Sequence, residues 1–290
     1  MKEALLKEFC QVAVDAARVA GEIIQTYANR EIVVSHKKGG DTLASQVVTE
    51  VDRMAEEAVV ATIKPISEKH DLAILTEETP DDGSRFEKDY FWSIDPMDGT
   101  LAFVEKKPGY AVSIGLVDRQ GSPLLGVVYD PSLDIIWQAA RGLGVFRNGE
   151  TWEQSLQSDM LTFAYDRSFE THPKFSESID LLESYAQTNG LRGVVASQHG
   201  GSVLNACHSL ENSPGCHFKF PKSGDGGGSL WDYAATACIF EEAGAIVTDM
   251  FGNPLDLNRV DSTFMNHRGV LYTTDASLAS KIRELNFTNG

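Results

Sequence analysis

The stretch Tyr90-Phe91-Trp92-Ser93-Ile94-Asp95-Pro96-Met97-Asp98-Gly99-Thr100 constrains this chain more than any other. Apolar, β-prone residues run straight into two aspartates, a proline, a glycine and a threonine. That order predicts a buried strand delivering two carboxylates to its end, followed by a tight turn that opens a helix. Two carboxylates this close repel, and burying both without a cation is costly. A hard divalent metal removes the cost, and oxygen-only ligands suit Mg²⁺. Amides of Gly99 and Thr100 at a helix start suit an oxyanion such as phosphate. Metal beside a phosphate seat points to phosphoryl chemistry.

A formal net charge of −17 argues against a nucleic-acid polymer or an anionic membrane as partner, since such binding needs surplus Lys and Arg. A small anionic substrate remains compatible, because a bound metal inverts the local field. The four cysteines (Cys10, Cys207, Cys216 and Cys238) show no C-x-x-C spacing and read as free thiols of a reducing compartment. Without a signal-peptide pattern or a membrane-length apolar run, a cytoplasmic location is expected. Gly224 to Gly228 lacks the Lys-Ser/Thr ending of a P-loop, and His199, His208, His217 and His267 lack metal-ligand spacing.

Apolar residues from Leu5 to Ile24 recur at helical spacing, and a second helix starts at Thr49-Glu50-Val51-Asp52. His36 to Asp41 reads as a loop, in which Lys37 or Lys38 is a candidate to approach a site. Ala73 to Leu75 is a short strand ending at Glu77-Glu78; 111–117, 124–129 and 135–137 form a meander. From about Glu150 helices and strands alternate, with helices over 176–186, 202–210 and 232–242. A chain of 290 residues accommodates two packed subdomains. They are placed at 1–149, an α+β metal-binding part with a mainly antiparallel sheet, and 150–290, an α/β substrate-binding part. Trp137, Trp152, Phe218 and Phe220 are expected in the core.

Taken singly, Asp52 and Asp232 read as helix caps and Glu77 as a turn residue. Together with Asp95 and Asp98 they invite another reading. Asp95-Pro96-Met97-Asp98-Gly99-Thr100, the upstream Glu77-Glu78 and the downstream Trp231-Asp232-Tyr233-Ala234-Ala235 resemble the signature of the inositol monophosphatase superfamily. Val48 to Asp52, Gly201 to Asn205 and Ala243 to Asp249 fit as well, so the resemblance covers almost the whole chain. Thr76 departs mildly from the glycine or serine usual before the Glu-Glu pair.

The resemblance implies a layered α-β-α-β-α sandwich of the inositol monophosphatase and fructose-1,6-bisphosphatase type, and commonly a homodimer. It implies a Mg²⁺-dependent phosphomonoesterase using two or three ions, inhibited by Li⁺, with Mn²⁺ as a substitute. Glu77, Asp95 and the Met97 carbonyl would hold one ion; Asp95, Asp98 and Asp232 a second. Asp52 and Thr100 would be hydrogen-bonded, with Thr100 and Glu77 orienting the attacking water. Gly99, Thr100 and Asp232 would meet the phosphate end of the substrate.

For the substrate, Phe220-Pro221-Lys222 resembles the 3'(2'),5'-bisphosphate nucleotidase branch, where a cation pairs with the second phosphate. That makes conversion of 3'-phosphoadenosine 5'-phosphate to AMP the expected reaction. Ala111 to Gly115 and Leu204 to Cys207 look more like the inositol branch, so inositol-1-monophosphatase stands as the alternative. Histidinol phosphate and sugar bisphosphates are further options. A catalytically silent relative that binds a phosphorylated ligand is the reading from another class.

Overall fold

A computed structural model describes residues 1–30, 34–36 and 47–285. Lys37 and Lys38 lie outside the described residues. The chain builds five layers in the order α-β-α-β-α. The first holds α1 (Glu3–Tyr27) and α2 (Glu50–His70). Phe9, Ala13, Ala17, Ala20 and Ile24 of α1, and Val51, Ala55, Val59 and Ile63 of α2, all point into one core. Small residues at helical spacing let these long helices lie close to the sheet beneath. Before α2, β1 (Val34–His36) and β2 (Val47–Thr49) pair antiparallel.

The second layer is a seven-stranded sheet in simple sequence order: β3 (Ala73–Thr76), β4 (Tyr90–Asp98), β5 (Ala111–Asp118), β6 (Pro123–Asp130), β7 (Ile135–Ala140), β8 (Gly144–Arg147) and β9 (Glu150–Trp152). Only β3 and β4 run parallel. The expected antiparallel meander is present, extended by β8 and β9, two short strands without a strong apolar pattern. The last of them begins at Glu150, so the change of pattern read there coincides with the end of this sheet.

After β10 (Leu161–Ala164), α4 (Phe175–Thr188) and β11 (Val194–Ser197), the chain enters the central layer with α5 (Ser202–Glu211). It then passes through β12 (Gly215–Lys219) to α6 (Leu230–Glu242), β13 (Ile246–Thr248), β14 (Val270–Thr273) and α7 (Ala276–Ile282). The second sheet has the order β11-β10-β12-β14-β13, parallel around β10 and antiparallel around β14. Its outer face carries Phe163 and Phe218, stacked at 4.9 Å, against α4 and α7. Phe218, Phe220 and Trp137 are buried, and Trp152 packs edge-on against Trp137 at 4.9 Å.

Helix α6 is the keystone between the sheets. It is buried on almost every side, from Tyr233 through Phe240, as a helix sandwiched by two sheets must be. Gly115 and Gly126, paired across β5 and β6, open the groove that receives it. A Cβ at Gly126 would stand 2.1 Å from the Ala235 carbonyl oxygen, and one at Gly115 would stand 2.8 Å from Ala234 Cβ. We expect Gly126→Ala to cost about 1–3 kcal/mol through overpacking, read by denaturant unfolding. Because α6 carries Asp232 at its start, activity should fall as well. A variant as stable and active as the parent would refute this packing argument.

Candidate active site

The two aspartates of β4 reach one side of the sheet through a bulge. Asp95 pairs with Ser113 and Asp98 with Ala111, so β4 spends one residue more than β5 between them. In a regular strand residues three apart face opposite sides; the extra residue cancels that parity. Pro96 sits in the bulge, where a missing amide is tolerated. The strand therefore runs on through Asp98 and carries both carboxylates at its end, as the residue order predicts. Asp95 Oδ1 accepts from the Met97 amide at 2.9 Å, which fixes the carboxylate.

Gly99 then turns the chain at φ +89° into a short helix, α3 (Thr100–Val104). A Cβ there would meet the Gly109 carbonyl oxygen at 2.3 Å, so the position admits only glycine. Thr100 Oγ1 lies 2.9 Å from Asp52 Oδ1 and 3.1 Å from the Met97 carbonyl oxygen. Asp52 is almost completely buried. Its Oδ2 accepts from the Thr49 amide and hydroxyl, at 2.7 and 2.6 Å, closing a capping box at the start of α2. Burial raises the Asp52 carboxyl to about 6, against the lowering effect of those hydrogen bonds.

Asp232 occupies the same third position of its own helix. Helix α6 starts at Leu230, two residues earlier than the pattern indicated, and Asp232 Oδ2 accepts from the Ser229 amide at 2.6 Å. Ligand oxygens of Asp95, Asp98 and Asp232 all lie within 4.8 Å of one another. Burial first, then the charges of Glu77, Asp232 and Asp98, hold the Asp95 carboxyl well above the usual range. Asp98 and Asp232 are likewise raised, mainly by burial. Glu77 follows β3, and its amide donates to the Ile94 carbonyl at 3.2 Å, which lays it alongside Asp95. Three converging carboxylates that resist ionisation together, with only oxygen donors, fit a hard divalent cation.

Lys222 lies three residues beyond the end of β12. Its amide donates to the Asn266 carbonyl at 2.8 Å; burial first, then the charges of Lys174 and Lys222, hold His172 below its ordinary value. The cation nearer the carboxylates is Lys219 at the end of β12, whose charge acts on Asp98 and Asp232. Sequence reading also passed over Glu56 of α2. Its carboxylate accepts from the Glu78 amide at 2.8 Å and the Thr79 hydroxyl at 2.5 Å, shaping the acidic turn after β3. Neither residue lies in a recognisable motif; a charged residue within an otherwise buried strand was the one available signal for Lys219.

Residues 5–286 match the model of the inositol monophosphatase family. The chain belongs to that family. Human inositol monophosphatase 2 is 32% identical over 259 residues, covering 87% of this chain and 83% of the relative. The solved inositol monophosphatase from Anabaena (Nostoc) sp. PCC 7120 superposes with a TM-score of 0.69 at 25% identity, covering 98% of each chain. An IMPase/NADP phosphatase complexed with Mg²⁺ and phosphate shares the fold at a TM-score of 0.71 and 19% identity, over 99% of this chain and 97% of that one. Inositol monophosphatase family members are metal-dependent phosphoric monoester hydrolases, and so is this chain. No helix among the described residues is long and apolar enough to cross a membrane.

Proposed function

We propose that this chain releases phosphate from a small phosphorylated metabolite at the Asp95–Asp98–Asp232 cluster. The observation that carries the reading is the convergence of those carboxylates within 4.8 Å, beside the Asp52–Thr100 hydrogen bond. Asp95, Asp98 and Asp232 would hold one Mg²⁺, and Glu77, Asp95 and the Met97 carbonyl another. Bound there, Mg²⁺ supplies Lewis acidity and neutralises charge on the phosphoryl oxygens and the leaving alkoxide. Thr100 donates its proton to Asp52, so its oxygen can accept from an attacking water that Glu77 helps to orient. An Asp52 carboxyl raised to about 6 is matched to taking up that proton near neutral pH. Amides of Gly99 and Thr100 would meet the phosphate oxygens.

For the substrate we favour a 3'(2'),5'-nucleoside bisphosphate such as 3'-phosphoadenosine 5'-phosphate. The support is the pair Lys222 and Lys174, both close enough for their charges to act on His172, whose ring lies 5.2 Å from that of Phe220. Inositol 1-phosphate is the second reading, supported by the likeness to human inositol monophosphatase 2. A phosphate-release panel with both compounds, histidinol phosphate and fructose 1,6-bisphosphate decides between them. Lys222→Ala should raise KM for the bisphosphate about tenfold while leaving inositol 1-phosphate nearly unchanged, as expected for one lost charge-assisted contact. Equal effects on both would remove the nucleotide reading. No turnover of any compound with Mg²⁺ would favour a silent ligand-binding relative. We further propose the division of labour at 1–149 and 150–290, inhibition by Li⁺, support by Mn²⁺, a homodimer and a cytoplasmic location.

A further inference from the structure

Lys219 turns inward between the central helices, with its side chain 16% exposed. Its Nζ lies 2.5 Å from Asp166 Oδ2 and donates to Ser202 Oγ at 2.6 Å. Asp166 Oδ1 accepts from Asn205 Nδ2 at 3.0 Å. Asn205, fully buried, uses its own Oδ1 to accept the amides of His199 and Gly200, at 3.0 and 3.2 Å. Its Nδ2 also donates to the Gly200 carbonyl at 3.1 Å. The same turn is tied across the site by the Gly201 amide, which donates to the Gly109 carbonyl at 3.1 Å.

This fastened turn is what Asp98 rests on. The Val203 amide donates to Asp98 Oδ2 at 2.8 Å. A Cβ at Gly201 would stand 2.3 Å from the Asp98 carboxylate oxygens, so the carboxylate lies flush against the turn's backbone. A shift of that turn moves the carboxylate or breaks its hydrogen bond. Given the site assignment above, on which this inference rests, we propose that Lys219 is a positioning residue for Asp98. Through Asp166, Asn205 and Ser202 it holds the 199–203 turn, and so strengthens cation binding by Asp95, Asp98 and Asp232.

Geometry and charge pull in opposite directions here, which makes the idea testable. Lys219 is itself a cation, and near other positive charge a metal ion binds less well. Removing only that charge should tighten cation binding, whereas removing a positioning residue should weaken it. The experiment titrates the protein with Mn²⁺ and follows the free-ion electron paramagnetic resonance signal, with an Asp98→Ala control. Lys219→Met should weaken binding about tenfold or more, and Lys219→Arg should recover much of the loss. Unchanged or tighter binding in Lys219→Met overturns the proposal. If that variant does not unfold cooperatively, Ser202→Ala decides, because it removes one bond and no charge. It should weaken Mn²⁺ about threefold, the size of one ordinary hydrogen bond, and no change would overturn the positioning role. Parent protein whose Mn²⁺ binding is insensitive to Asp98→Ala would instead overturn the site assignment itself.

Discussion

Asp95→Asn should abolish most Mg²⁺-dependent turnover while making the metal-free protein more stable. Asp95 is the most central of the carboxylates: 1% exposed, flanked by Glu77, Asp98 and Asp232, and a ligand to both proposed ions. Asn keeps the shape and an oxygen to accept the Met97 amide, so the bulge survives. What would disappear is the charge proposed to serve both cations. A loss of about 4 kcal/mol in transition-state stabilisation corresponds to roughly a thousandfold in rate. The same change relieves repulsion in a cluster that burial and like charge keep from ionising, so chemical unfolding in EDTA should require more denaturant. Turnover within tenfold of the parent would remove Asp95 from the site.

Mg²⁺ should stabilise the fold far more at high pH than at low pH. Asp95, Asp98 and Asp232 are all raised in the folded chain, and Asp52 is raised to about 6. Over the interval between the unfolded carboxylate value, about 3.9, and the raised folded values, the folded state holds more protons than the unfolded one. Stability from these groups is therefore complete below about pH 4 and is lost as pH rises through their folded values. For Asp52 that window closes near pH 6; for Asp95, Asp98 and Asp232 it closes at their own raised values. A cation binds the ionised carboxylates, so its contribution grows over the same interval. Melting curves in EDTA and in Mg²⁺ should thus diverge as pH rises from 4 to 8, and the divergence should vanish in Asp95→Asn. A Mg²⁺ effect independent of pH would exclude binding through these raised carboxylates.

Much of this was legible from residue order, because long apolar periodicities and the aspartate-rich turn are local signals. Helices α1, α2, α4, α5 and α6 and the β5–β7 meander follow directly from spacing. The cap reading of Asp52 and Asp232 seemed to compete with their site roles, a hydrogen bond to Thr100 for Asp52 and a metal ligand for Asp232, yet the geometry is compatible with both. Each residue caps its helix with Oδ2 while its carboxylate also faces the site, Asp52 through Oδ1. The bulge that turns Asp95 and Asp98 to one side was invisible, since it depends on the partner strand's register. So was the Lys219–Asp166–Asn205 chain, whose members lie far apart in sequence and belong to no periodic pattern. Strands β8 and β9, the last two of the sheet, were missed because half-exposed strands need little apolar alternation.

The placement of α6 between the two sheets bears on biogenesis. Asp95 and Asp98 emerge from the ribosome well before Asp232, and on their own they form an ordinary acidic bend. In the folded chain the third carboxylate stands beside them because α6 lies in the Gly115–Gly126 groove. The ion proposed for Asp95, Asp98 and Asp232 would thus be a late seal, whereas the ligands proposed for the other, Glu77, Asp95 and the Met97 carbonyl, all precede α6 in the chain.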